Sequence, residues 1–289
     1  MTAPTSSRTV LALLRRAESI LSENDIDNPP ADAREITAAA LGCPPSALRR
    51  HYEEEAPDSV SSEVHRMLNL RCKGEPIQYV IGSWSFMGRD YKVGAGVLIP
   101  RDDTEVVVSE ALRLIRDLQS PRVIDLCSGS GVIAVTIKKE RPDAQVIAVE
   151  KSPEACAYLR LNTARNGADI TVCERDIFDL YRELDDNTFD LIVSNPPYIR
   201  SSEIATLQKE VQFEPRMALD GGESGFDFYE RIIDLWTTKL APGGFIAFEI
   251  GEDQFDRIAV LLKAYGYTEI KGYPDIQGVT RAVTARYTP

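Results

Sequence analysis

Apolar residues near the start of the chain recur at helical spacing: Val10, Leu11, Leu13, Leu14, Ala17, Ile20 and Leu21. They predict an amphipathic helix with Ser7 or Thr9 as its N-cap. Asn28-Pro29-Pro30 predicts the start of a second helix over 31–41, and Gly42 supplies its left-handed end. A short third helix is expected after Pro44-Pro45. A fourth carries Val60, Val64, Met67 and Leu68 and stops near Gly74. Residues 1–73 thus read as a small helical bundle. Beyond them the period changes. Trp84 and Phe86 alternate with polar neighbours, Met87-Gly88-Arg89-Asp90 reads as a turn, and Tyr91 and Val93 alternate again. That pattern predicts a β-hairpin bridging two domains. Residues 94–101 are glycine-rich and irregular, and a helix of about 15 residues follows from Asp103.

From Arg122 onward strands and helices alternate. Strands are predicted over 123–126, 145–149, 170–173, 189–193, 244–250, 267–271 and 281–287. Helices are predicted over 132–139, 153–166, 226–239 and 254–264. This predicts an α/β domain over 101–289: a doubly wound, mostly parallel sheet with helices on both faces. Residues 74–100 become an interdomain hairpin and linker, and 1–73 a separate helical domain. Ligands of such sheets bind at the carboxyl ends of the strands.

Composition narrows the chemistry. The 289 residues are 43% hydrophobic and 27% charged, an ordinary globular balance. No apolar run is long enough to span a membrane, and Met1 to Arg8 lacks the layout of a secretory signal. Five cysteines without a C-x-x-C pair read as reduced thiols in a cytoplasmic protein, with neither a disulfide frame nor a metal site. Both histidines, His51 and His65, lie in the first quarter, so chemistry in the α/β domain proceeds without a histidine base. A net charge of −12 argues against direct nucleic-acid binding, which needs a basic face.

The first strand of the α/β domain runs into Asp125-Leu126-Cys127-Ser128-Gly129-Ser130-Gly131. Gly129 and Gly131 permit close approach of a ligand to the backbone. Ala134 stands where a dinucleotide fingerprint has its third glycine. The next strand ends in Glu150, able to accept from both hydroxyls of a ribose, the alternative being a cap for the following helix. Together these point to a nucleoside-containing ligand without separating a dinucleotide from S-adenosylmethionine. Asp176-Ile177-Phe178 follows the third strand. It suits an adenine amino group and ring, or simply a buried loop anchor.

Asn195-Pro196-Pro197-Tyr198 follows the buried strand 189–193. Two prolines fix φ and remove two donors, which leaves a stiff loop rich in acceptors. An amide nitrogen is a poor nucleophile because its lone pair is delocalised. The Asn195 side-chain oxygen and the Pro196 carbonyl could accept its two N–H bonds, with Tyr198 packed on the amide face. Such a clamp suits methyl transfer to a planar nitrogen and has no use in hydride transfer.

These segments resemble class I S-adenosylmethionine-dependent methyltransferases of the N-P-P-Y group. Three more narrow the likeness. Residues 74–82 are similar to an interdomain G-E-P-x-x-Y-x-x-G segment. Val97-Leu98-Ile99-Pro100-Arg101 with Thr104-Glu105 is similar to V-L-I-P-R-x-x-T-E. Glu214-Pro215, Ala218-Leu219 and Gly221-Gly222 are similar to E-P-x-x-A-L-x-G-G. In this order they resemble the release factor glutamine methyltransferases over nearly the whole chain.

The resemblance implies S-adenosyl-L-methionine as cofactor. As protein substrate it implies class-1 peptide chain release factors, methylated on the side-chain amide of the glutamine in their Gly-Gly-Gln loop, which modulates translation termination. It places Asp125, Cys127, Ser128, Gly129, Ser130, Gly131, Glu150, Asp176, Ile177, Phe178 and Asn195 at the cofactor. It places Asn195, Pro196, Pro197 and Tyr198 at the substrate, with Asn195, Pro196 and Tyr198 catalytic, no metal, and the N-terminal helices docking the release factor. Some positions depart from the pattern. Arg101-Asp102-Asp103-Thr104-Glu105 stands for R-P-E-T-E, Cys127-Ser128 for Gly-Thr, Glu150 for Asp and Ile177 for Trp. Cys127 must then keep φ negative or be strained, and Phe178 becomes the candidate ring over adenine. Three other functions remain: a ribosomal-protein glutamine methyltransferase, a nucleic-acid amino-group methyltransferase and a catalytically silent release-factor-binding module.

Overall fold

The computed structural model describes residues 8–289, so the Ser7 cap and most of the segment read for a signal lie outside the described residues. The chain forms two compact units: residues up to Ser83 together with Gln208–Phe213, and Trp84–Leu207 with Glu214–Pro289.

The first unit is helical. Helix α1 (Val10–Glu23) is capped by Thr9, whose hydroxyl accepts from Ala12 N. Helix α2 (Pro29–Leu41) starts from Asn28 and ends at Gly42 with φ 69°. The expected short helix is a 3-10 turn, Leu48–His51, and α3 spans Asp58–Arg71. A further helix, α4 (Ile77–Ile81), runs from Pro76 to a left-handed Gly82. Five residues are too few to show a helical period, so this element was invisible to pattern. Val10, Leu21, Ile36, Val64 and Val80 meet in a single core.

Strand β1 (Ser83–Phe86) starts at the last residue of the first unit and runs into the second, followed by β2 (Arg89–Lys92). Their turn is two residues long, with Met87 at φ 44° and Gly88 at φ 73°. That left-handed pair matches the twist of a hairpin, so Arg89 and Asp90 already belong to β2. Helix α5 (Thr104–Leu114) is shorter than expected. Then follow β3 (Arg122–Leu126), α6 (Val132–Glu140), β4 (Gln145–Glu150), α7 (Pro153–Arg165), β5 (Thr171–Glu174), α8 (Ile177–Leu180) and β6 (Phe189–Ser194). The chain finishes with α9 (Asp227–Trp236), β7 (Leu240–Glu249), α10 (Phe255–Ala264), β8 (Tyr267–Pro274) and β9 (Thr280–Tyr287).

Seven strands pair in the order β5-β4-β3-β6-β7-β9-β8. All neighbours are parallel except those of β9. Alternate strand residues enter opposite cores: Leu191 and Val193 pack on one face, Ile192 on the other with Tyr229, Ile233 and Trp236 of α9. Because β4 and β6 flank β3, the winding direction reverses there, which is where open α/β sheets bind ligands. The strand ends are level. Leu126 pairs with both Val149 and Ser194, and Ser194 with Phe248. Cys127, Glu150, Asn195 and Glu249 therefore stand in one row at the carboxyl edge.

In the first unit one cation gathers distant segments. Arg71, whose side chain is 7% exposed, donates to Asp32 at 2.6 Å and Glu210 at 3.0 Å. It also donates to the Glu75 carbonyl at 3.1 Å. Removing one partner of a buried ion cluster leaves the others uncompensated, at about 3–5 kcal/mol. Arg71→Ala is expected to lower unfolding free energy by about 3 kcal/mol in urea titrations, the low end because Glu210 is partly solvated. A loss under about 1 kcal/mol would contradict this.

Candidate functional site

The carboxyl edge of the second unit opens into a cavity of about 450 Å³, a size suited to a nucleoside-bearing ligand. Cys127, Ser128, Gly129, Ser130 and Glu150 line one side, and Asp176, Ile177, Phe178, Asn195 and Pro197 line others. Four residues assigned from sequence do not line it: Asp125, Gly131, Pro196 and Tyr198.

The loop after β3 is folded by its own bonds. Ser128 N donates to the Val149 carbonyl, Gly131 N to the Ser128 carbonyl, and the Ser128 hydroxyl to the Asp125 carbonyl. Cys127 adopts φ 61°. Of the two alternatives open to it, the strained one is realised, at a cost on the order of 1 kcal/mol. A Cβ on Gly129 would meet nothing within 4 Å, so its absence leaves space to the cavity. A Cβ on Gly131 would fall 2.3 Å from Leu159 Cδ1. Gly131 therefore allows α6 to pack closely on α7.

Asp125 likewise supports the loop. It lies fully buried beneath the loop, where its Oδ2 accepts from Ala134 N at 3.2 Å and supports the start of α6. Its Oδ1 has no partner among the described residues. Burial pushes its pKa to about 8, so it is mostly uncharged at neutral pH.

Glu150 performs two tasks. It accepts from Gly129 N at 2.9 Å, and from Lys151 N and Ser152 N at 2.8 Å each, while lining the cavity. The helix-capping alternative is partly realised, although Ser152 itself caps α7. Asp176 accepts from Phe178 N and from Lys151 Nζ. The Arg231 guanidinium lies 3.4 Å from the centre of the Phe178 ring, and Phe228 packs beside it at 5.5 Å. Ile177 and Phe178 thus both face the cavity, with the aromatic ring braced by a cation.

Asn195 follows β6 and donates from Nδ2 to Thr104 Oγ1 at 3.4 Å. Thr104 in turn donates to Glu249 Oε2 at 2.6 Å. Tyr198, expected against a substrate amide, instead points its hydroxyl at Glu249 Oε1, 3.4 Å away. The cause is Glu249 itself, a carboxylate 1% exposed that needs donors. Burial, with a smaller contribution from nearby Asp103, raises its pKa to about 7.

Two segments singled out by motif, but given no task, wall the cavity. Glu214 accepts from Ile99 N at 2.9 Å and pairs with Arg101, so the V-L-I-P-R and E-P-x-x-A-L-x-G-G segments are fastened together. Gly221 N donates to the Ile199 carbonyl, and Ile199 N to the Leu219 carbonyl. A Cβ on Gly221 would approach Tyr198 Cα to 2.7 Å, so only glycine fits where this stretch clasps the N-P-P-Y loop. Glu249 and Arg231 were missed. For Glu249 the available signal was an acidic residue ending an apolar strand, as at Glu150.

Among the described residues no cluster of histidine, cysteine, aspartate and glutamate is placed to hold a metal, and no helix is long and apolar enough to cross a membrane.

Residues 12–82 match the family described as PrmC N-terminal domain, and residues 105–222 the Methyltransferase small domain. Among solved structures, the hMettl16 catalytic domain in complex with MAT2A 3'UTR hairpin 1 is similar at TM-score 0.55. It has 14% identity, with 78% of this chain and 93% of that one covered. A methyltransferase from Pyrococcus furiosus is similar at TM-score 0.50 and 17% identity, with 71% and 92% covered. At these identities the likeness is one of fold, the α/β class I methyltransferase sheet. A release factor glutamine methyltransferase of Geobacter sulfurreducens is 38% identical over 279 residues, covering 96% of each chain. One of Clostridium acetobutylicum is 35% identical, covering 94% of this chain and 96% of the relative. With both domains matched and near-complete coverage at this identity, the chain belongs to the release factor glutamine methyltransferase family.

Proposed function

We propose that this protein transfers a methyl group from S-adenosylmethionine to the side-chain amide nitrogen of the glutamine in the Gly-Gly-Gln loop of class-1 release factors. The observation that carries this is the Asn195 amide, held by Thr104 through Nδ2 while it lines the cavity. The atom then left for a substrate is Oδ1, an acceptor.

The cavity's residues fit the cofactor. Gly129 leaves backbone accessible, Glu150 brings a carboxylate to the wall, and Phe178 offers a ring face near Asp176. S-adenosylmethionine, when bound, supplies a methyl group on a sulfonium, an electrophile whose leaving group needs no acid. What the protein must do is position the nitrogen and sharpen its lone pair. Asn195 Oδ1, at the cavity wall, accepts one N–H bond of the glutamine amide, and the adjoining Pro196 carbonyl, outside the cavity lining, accepts the other. Those bonds strengthen as the nitrogen becomes tetrahedral, so they favour the transition state over the bound substrate. One proton passes from the nitrogen to water once the new C–N bond has formed and the S–CH3 bond has broken. Pro196 and Pro197 keep the loop from relaxing during this change. Tyr198 acts through Glu249, as a brace for the loop.

The helical unit, residues up to Ser83 with Gln208–Phe213, serves as the docking domain for the release factor, and the α/β unit as the methyltransferase domain. With a net charge of −12, nucleic acid is no partner of its own, and the site of action is the cytoplasm, where release factors work.

Incubation with labelled S-adenosylmethionine and purified release factor is expected to label the wild-type factor and spare one whose loop glutamine is alanine. Equal labelling of both would contradict the proposal. Asn195→Ala is expected to lower kcat by about 10²–10³-fold, a loss larger than any fall in calorimetric affinity for S-adenosylmethionine, whose cavity Asn195 also lines. Wild-type turnover in that variant would remove the clamp.

A further inference from the structure

A hydroxyl bonded to a carboxylate has a fixed direction. Glu249, ionised, can only accept, so the Thr104 hydroxyl spends its single proton on Oε2 at 2.6 Å. Thr104 Oγ1 then has only lone pairs for its other neighbour. The Asn195 amide, 3.4 Å away, must turn its NH₂ toward Thr104 and its oxygen away. Both relay members are buried, Thr104 2% and Glu249 1% exposed, so water does not blur the direction.

We propose that Glu249, acting through Thr104, is a positioning residue that sets the polarity of the Asn195 amide so that its oxygen faces the substrate nitrogen. The inference rests on Asn195 as the substrate clamp. It adds that the clamp has two orientations and that a carboxylate at the end of β7 chooses between them. If Glu249 is protonated it can donate to Thr104, whose own proton then turns to Asn195 and favours the reversed amide, which presents donors to a donor.

The groups around Glu249 fix the pH at which this occurs. Thr104 and Tyr198 donate to its oxygens, and Tyr229 of α9 donates to its main-chain carbonyl at 2.8 Å. Asp103 opposes its ionisation, and Arg281 of β9, which pairs with Asp103 at 3.2 Å and Asp275 at 3.0 Å, favours it. Arg101 acts on Tyr198 from the same side. Burial outweighs them and brings the pKa to about 7. The carboxylate is the active form, so kcat rises as pH increases through about 7 and is level above it. For stability the sign is opposite. A carboxyl whose folded pKa is raised stabilises the fold below its unfolded value and loses that contribution as pH rises through the folded one.

The test measures steady-state methylation of release factor from about pH 6 to 9 for wild type, Thr104→Val, Thr104→Ser, Glu249→Gln and Asn195→Ala, with urea unfolding of each. Thr104→Val keeps the shape and removes the relay. It is expected to lower kcat about 10-fold or more with KM for release factor within about threefold, while Thr104→Ser restores kcat to within about threefold of wild type. Glu249→Gln is expected to lose the acid limb near pH 7 and yet unfold no more easily than wild type at about pH 8. Wild-type kcat in Thr104→Val, an unchanged acid limb in Glu249→Gln, or Thr104→Ser failing as badly as Thr104→Val would each overturn the relay. If Asn195→Ala alone is inactive under those outcomes, the clamp stands without its relay; if Asn195→Ala turns over normally, the clamp itself fails.

Discussion

The level ends of four parallel strands are the constraint on which the rest depends. Hydrogen-bond register places Leu126, Val149, Ser194 and Phe248 side by side across β3, β4, β6 and β7. The residue after each is Cys127, Glu150, Asn195 or Glu249. The hydrophobic cores on both faces hold that register, because a one-residue slip would turn every strand side chain to the wrong face. The chemistry-bearing row thus inherits the stability of the whole sheet.

What the sheet cannot supply, the loops add with carboxylates. Glu150 ties the β3 loop to the start of α7 through three backbone donors. Glu214 fastens the segment before α5 to the stretch that clasps the N-P-P-Y loop. Glu249 collects Thr104 and Tyr198. Each is a buried or half-buried acid whose desolvation is offset by several donors. Such acids tolerate few arrangements, and the resulting rigidity suits a reaction that depends on alignment more than on acid–base catalysis.

Features with local causes were legible in the sequence. Asn28-Pro29-Pro30 and Gly42 bound α2 as expected because caps and breakers act within a few residues. Strand and helix alternation gave the fold class, since each period is a local pattern. Gly129 and Asn195, singled out because turn chemistry marks a strand end, both line the cavity. Features set by distant partners were not legible. Tyr198 turns away from the cavity because of Glu249, 51 positions later in the chain. Gly131 abuts Leu159, and Asp125 lies buried below the loop. The positive φ of Cys127 was one of two alternatives that sequence could not separate. Helices α4 and α8 are too short to carry a period.

The proposed activity requires the row at the carboxyl edge to present an acceptor clamp to a carboxamide nitrogen. Locating the methyl group in the reaction product by tandem mass spectrometry tests this. The expected result is a single methyl group on the side-chain nitrogen of the loop glutamine. A methyl group on a carboxylate, a lysine or a backbone atom of the release factor would contradict it.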